Sequence, residues 1–258
     1  FLQLGGRHID TAVAYQNHLA VAAACQATGL APRALVVTTK VWPLGFHGTL
    51  EAVLQALREL DGVAQVVALL HAPGATPISS LTKPRQAGIL SAVGVSNFTP
   101  RQLRPRQLRE LRADVAPTWK RTGSGASRPR APTWAPDVLQ TELHPWWLER
   151  ELVRLCQEEG IQIVAYGSLG SPERKSETLA NRDIQRIAKA HDLSPAQVLL
   201  TWAVQRGMRV IPTTAKRQHM RDALAVPFHT LSQQAMAILD DMPQWKEAMY
   251  HPYLEQIL

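Results

Sequence analysis

Short runs of Val, Ile and Leu recur along the chain, and each gives way to a stretch with helical spacing of apolar positions. The runs are Arg7–Thr11, Leu35–Lys40, Gln65–His71, Ser91–Asn97, Val138–Glu142, Ile161–Gly167 and Met208–Pro212. They are continuous rather than alternating, the pattern of strands buried on both faces of a parallel sheet. Amphipathic stretches at Leu50–Leu60, Glu149–Glu159 and Asp183–His191 predict helices between them. A further helix is predicted over Ala196–Arg206, with Ser194 as N-cap, Pro195 in the first turn and Gly207 as its stop. Strand and helix alternating seven times predicts an α/β fold, either a barrel or a doubly wound sheet.

A closed (β/α)8 barrel has eight strands, and seven are legible. Phe1–Gly5 reads as the last turn of a helix running into the first visible strand. The expected architecture is therefore a TIM barrel lacking its first strand and most of its first helix. With 258 residues, 45% of them apolar, the expectation is one domain over residues 1–258.

Composition changes this picture at one place. The formal net charge is +7, which would ordinarily invite a nucleic-acid reading. Between Pro100 and Arg130, however, nine basic residues face only Glu110 and Asp114, so the whole excess lies in that segment. Pro-Arg-Gln-Leu-Arg occurs at 100–104 and again at 105–109, and Ala-Pro-Thr-Trp at 116–119 and again at 131–134. Residues 100–134 are thus expected to be a basic, duplicated, disordered insert within the domain. The insert lacks interleaved aromatics apart from its duplicated tryptophans, so nucleic acid is not an expected partner. No apolar run reaches membrane-span length, and no export signal opens the sequence. Cys25 and Cys156 fit no metal spacing and suit a reducing compartment, so a cytoplasmic protein without a metal is expected.

Polar residues collect where the greasy runs end: Asp10, Lys40, His71, Ser96 with Asn97, Gln140 with Glu142, Tyr166, and Thr213 with Thr214. In a barrel the C-terminal strand ends form the active-site face. Gly6–Ala12 with Tyr15 and Asn17, Thr39–Trp42, Leu70–Pro73, Gly94–Phe98, Gln140–Pro145, Val164–Gly170, Ser194–Leu200 and Val210–Pro212 follow in an order that resembles the aldo-keto reductases. The resemblance spans residues 1 to about 235, apart from the insert.

It implies NAD(P)H-dependent reduction of an aldehyde or ketone to an alcohol. Tyr15 would be the general acid. A tyrosine's ordinary pKa of about 10 is too high for that work unless a cation favours the phenolate. Lys40 would supply the charge, Asp10 would hold Lys40, and His71 would orient the substrate carbonyl. Ser96, Asn97 and Gln140 would bind the nicotinamide carboxamide, Tyr166 would stack on its ring, and Leu169 and Ser171 would meet the pyrophosphate.

The pattern also departs from the family's. Thr213, Thr214 and His219 stand where Lys, Ser and Arg usually clamp the 2′-phosphate, with Lys216 and Arg217 nearby as substitutes. NADPH is the expected cofactor, with NADH as the alternative. Ala72 replaces a Trp beside the catalytic His, which predicts a wider pocket there, and Gly167 replaces a Ser. The expected partner is a small carbonyl compound, and a monomer is expected. The competing reading is a weakly active or inactive relative that acts, if at all, by binding.

Overall fold

The computed structural model describes residues 1–63, 65–74, 76, 79–103, 136–170 and 173–246. Most of the basic insert, Ser171 and the segment after Lys246 lie outside the described residues. All seven predicted strands are present: β1 His8–Asp10, β2 Val36–Val41, β3 Gln65–Leu70, β4 Ala92–Ser96, β5 Val138–Glu142, β6 Gln162–Tyr166 and β7 Arg209–Val210. The described helices are α1 His18–Gln26, α2 Gly45–Glu59, α3 Ser79–Gln86, α4 Pro100–Leu103, α5 Arg150–Glu158, α6 Lys175–Ala180, α7 Arg182–His191, α8 Pro195–Gln205, α9 Arg217–Ala225 and α10 Gln233–Asp240. The start of the chain forms a 3-10 turn at Leu2–Leu4.

Strand order in the sheet follows chain order from β1 to β7. That order decides between the two predicted architectures. A doubly wound sheet reverses its strand order at a switch point, whereas a barrel adds each strand beside the last.

The chain forms two compact units. One comprises Leu2–Leu139 with Arg154–Gln162, the other Gln140–Val153 with the chain from Ile163 onward. In the first, β1, β2, β3 and β4 pair in parallel, with Asp10 opposite Thr38, Lys40 opposite Leu69 and Leu70 opposite Val95. Val37, Val41, Ala68, Leu69 and Val95 are fully covered, as continuous apolar strands require. Val53 and Ala56 of α2, Leu60 just past its end and Leu81 of α3 are buried in the same unit.

Among the described glycines, Gly94 has the least room for a side chain. A Cβ there would lie 2.3 Å from the Val138 carbonyl oxygen and 2.9 Å from the Val138 Cβ, so no side chain fits. Main chain cannot swing aside as a flexible side chain can. Gly94→Ala is expected to cost about 1–3 kcal/mol, as overpacked cores do, and urea unfolding measures it.

In the second unit, β6 and β7 pair in parallel and the Leu143 amide donates to the Tyr166 carbonyl. The predicted start of α8 is observed. Ser194 accepts from the Gln197 amide at 3.2 Å, and Gln197 Oε1 accepts from the Ser194 amide at 3.0 Å, completing a capping box. Gly207 ends the helix region at φ +81°. Trp202 on α8 is wholly buried, and its indole donates to Asp240 of α10 at 2.7 Å. Arg206 pairs with the same carboxylate at 2.5 Å.

Candidate active site

The first unit gathers Asp10, Tyr15, Lys40 and His71 from three successive strand ends. Asp10 closes β1, and Tyr15 follows in a 3-10 turn, Val13–Tyr15. Lys40 sits on β2 two residues beyond Thr38, the register partner of Asp10, and therefore on the same sheet face. Its ammonium donates to the Asp10 carboxylate and, at 2.8 Å, to the Thr11 carbonyl. Lys40 is only 2% exposed, so these bonds are what make a charge tolerable there. The ammonium lies 5.0 Å from the centroid of the Tyr15 ring. Tyr15 itself is half-exposed, which leaves the phenol open to a substrate and to solvent.

His71 directly follows β3. Its ring stands edge-on to Tyr15 with centroids 6.2 Å apart, and it stacks on Trp42 at 4.4 Å with 16° between the planes. Burial, then the Lys40 charge, hold its pKa down at about 4, so the imidazole is neutral near pH 7. Its Nδ1 is buried without a hydrogen-bond partner. Under-satisfied buried acceptors are commoner than orphaned N–H groups, which favours the tautomer with the proton on Nε2.

This depression has a stability consequence. Between pH 6.5 and 4 the unfolded chain binds a proton at His71 that the folded chain refuses, so stability falls as pH falls through that window. The loss amounts to about 3 kcal/mol below pH 4. Urea unfolding at pH 7 and pH 4.5 should show a smaller acid loss in His71→Gln than in the parent chain.

Ser96 ends β4, and Asn97 follows it with φ +64°, a left-handed conformation that Asn tolerates better than most residues. Both are buried. The Asn97 amide donates to the Ser96 hydroxyl at 3.1 Å and to the His71 carbonyl at 3.2 Å. Sequence reasoning gave Asn97 only a cofactor contact and missed this tether. It also gave Trp42 no task, although Lys40 and Trp42 are two residues apart. Ala72 is fully covered, so the small side chain leaves no open face at that point.

The second unit holds the other candidates. Gln140 and Glu142 are buried on β5, with Glu142 3.1 Å from His144 Nε2. Tyr166 ends β6 and is partly exposed. Gly167 and Gly170 follow with φ +61° and +82°, and the Leu169 carbonyl accepts from the Thr178 hydroxyl at 2.6 Å. Ser171 is outside the described residues. After β7, the Thr214 hydroxyl accepts from the Lys216 amide at 3.1 Å and lies 3.5 Å from His219 Nδ1. Thr213, Lys216, Arg217 and His219 are exposed at the start of α9. Among the described residues no His, Cys, Asp and Glu cluster could hold a metal, and no helix is long and apolar enough to cross a membrane.

The aldo/keto reductase family profile matches residues 1–243. A 9,11-endoperoxide prostaglandin H2 reductase of Trypanosoma cruzi is 31% identical over 252 residues, which are 95% of this chain and 81% of the relative. A glyoxal reductase of Bacillus subtilis is 31% identical over 92% of this chain and 78% of its own length. Among solved structures, an aldo-keto reductase from a deep-sea metagenome library superposes with a TM-score of 0.79 at 26% identity, covering 96% of this chain and 86% of that one. A mutant of Gox0644 in complex with NADPH superposes with a TM-score of 0.78 at 26% identity, covering 96% and 83%. A family match over nearly the whole chain, a strand order that never reverses and the (β/α)8 fold of these neighbours lead to one assignment: the chain belongs to the aldo/keto reductase family and, with it, to the NADP-dependent oxidoreductases.

Proposed function

We propose that this chain reduces an aldehyde or ketone to the alcohol, with Tyr15 giving the proton and NADPH as the reductant. The observation that carries the reading is the buried Lys40 ammonium, held by Asp10 and set against the half-exposed Tyr15 ring beside a neutral His71. Reduction leaves negative charge on the carbonyl oxygen, and an acid must meet it. Tyr15 loses its proton to that oxygen, and Lys40 stabilises the phenolate that remains. Solvent then returns a proton to Tyr15 through its exposed side. His71, neutral at working pH, donates from Nε2 to the carbonyl and orients it without adding a second cation beside Lys40.

Ser96 and Asn97, whose polar side chains are buried, are proposed as cofactor contacts, and Gln140, likewise buried, as a further one. Tyr166, a partly exposed aromatic at a strand end, is the proposed stacking surface. Leu169 and Ser171 are proposed at the pyrophosphate. Thr213 and Thr214 are proposed at the adenosine end, where Lys216, Arg217 and His219 supply the cations expected for a 2′-phosphate. When bound, NADPH supplies the hydride. The buried free thiols of Cys25 and Cys156 fit a reducing compartment, and the cytoplasm is the proposed location.

The test is the fall in NADPH absorbance with an aromatic aldehyde and with methylglyoxal, run beside NADH. Turnover that vanishes in Tyr15→Phe supports the assignment. Quenching of tryptophan fluorescence by NADPH with no turnover would leave a binding-only relative instead.

A further inference from the structure

His71 is held at very few points. Its side-chain nitrogen Nδ1 has no partner, so no hydrogen bond on that atom fixes the ring about its χ angles. The buried histidine elsewhere in this unit is different: His18 bonds Glu59 through Nδ1 at 3.0 Å and Thr39 through Nε2 at 2.8 Å. Ring orientation at His71 must therefore come from packing. The Tyr15 ring meets only its edge, at 6.2 Å, and two further contacts hold it. The Trp42 indole lies flat on the imidazole at 4.4 Å, and Asn97 pins the His71 carbonyl at 3.2 Å.

Trp42 is well placed for the task. It is half-buried just past the end of β2, and its carbonyl accepts from the Leu44 amide at 3.0 Å and from the Thr49 hydroxyl at 3.1 Å. The main chain beneath the indole is thus fixed by α2 and its approach. A flat aromatic face stops an imidazole from tilting, which an aliphatic filler of equal volume does not do.

We propose that Trp42 is a positioning residue for His71, its indole face holding the imidazole in the one orientation that presents Nε2 to the substrate oxygen while the Asn97 tether fixes the main chain below. This rests on the reading of His71 as the group that orients the carbonyl. Trp42 acts through His71, so its removal should lower turnover more than it weakens substrate binding.

The experiment follows the histidine ring signals by NMR across pH 3.5–8, with the His71 signal identified by its loss in His71→Gln. The variants are Trp42→Phe, Trp42→Leu and Trp42→Ala, each also assayed for kcat and KM with methylglyoxal and NADPH. The parent signal should titrate near pH 4. Trp42→Phe keeps a flat face and should keep both the titration and kcat within about threefold. Trp42→Ala should raise the midpoint by about one unit or more toward the ordinary value, as water reaches the ring, and lower kcat about tenfold with KM changed less. Trp42→Leu fills the space if the alanine variant does not fold, and should lower kcat in the same direction. An unchanged His71 titration and unchanged kcat in both Leu and Ala variants would overturn the proposal. A shifted titration with unchanged kcat would support Trp42 as what holds the ring and instead remove His71 from the proposed chemistry.

Discussion

Phenylalanine in place of Tyr15 is expected to lower kcat for aldehyde reduction by about 10²- to 10⁴-fold, the range that a positioned acid contributes. The substitution removes one oxygen from a half-exposed ring and leaves the ring's packing intact, so folding should be unaffected. Lys40 keeps Asp10 and the Thr11 carbonyl as partners, and therefore its burial is still compensated. NADPH should still quench tryptophan fluorescence with an unchanged Kd, because none of the proposed cofactor contacts involves residue 15. The loss should thus fall on the chemical step alone. Stopped-flow single turnover with saturating NADPH is the direct measurement, and a rate within a few-fold of the parent would sink Tyr15 as the acid.

The second large effect is on the ion pair beneath it. Lys40→Met removes the ammonium from beside an Asp10 side chain that is 13% exposed, and breaking a buried pair from one side costs about 3–5 kcal/mol. A drop in Tm is expected, together with loss of turnover. The paired variant Asp10→Leu with Lys40→Met distinguishes the two losses. Replacing both charges by apolar groups is often neutral for folding. The double variant should therefore recover most of the Tm while remaining inactive, because the phenolate of Tyr15 has lost its cation. If it regains turnover together with stability, Lys40 serves only the fold.

The sequence carried the strand content almost residue by residue, and the reason is physical. Strands covered on both faces leave apolar runs, and β3, β4 and β6 are readable from that property alone. Helices with a wide apolar stripe or a strong cap, such as α7 and α8, were equally plain. Helix α3 was not. Its Ser-Ser-Leu-Thr-Lys-Pro-Arg-Gln has no apolar stripe and a proline inside. It is held by Arg85, which reaches the buried Asp137 carboxylate at 3.1 Å, a contact between residues too far apart to read by periodicity. Of the candidate site, Asp10, Lys40 and His71 were legible because polar groups at the ends of greasy strands stand out, whereas Tyr15, in a turn beyond β1, was legible only through the family resemblance. What stayed hidden were relations between side chains. In sequence Trp42 is one more motif residue and Asn97 a ligand contact; in the fold both are fastened to His71. The two-unit division was likewise invisible, since β5 and α5 each straddle its boundary.

The confinement of the proposed proton-handling cluster to β1, β2, β3, β4 and the segments that directly follow them bears on how the site is built during folding. Asp10 and Lys40 are 30 residues apart, and His71 and Asn97 are 26 apart, each pair linked by a single crossover. Loop-closure entropy grows slowly over such distances, so each contact costs little more to close than a neighbouring strand pair. Every bond named within the cluster is made by residues before Phe98. On a ribosome, where the N-terminal part of a chain emerges first, Tyr15, Lys40 and the tethered His71 can all be in register before β5 is synthesised. The cofactor contacts proposed for β5, β6 and the turn after β7 come later in the chain. Synthesis order therefore sets the proposed proton-handling residues, with Ser96 and Asn97, ahead of the remaining proposed cofactor contacts, and an intermediate lacking β5–β7 would hold a charged pair in place with an incomplete cofactor site.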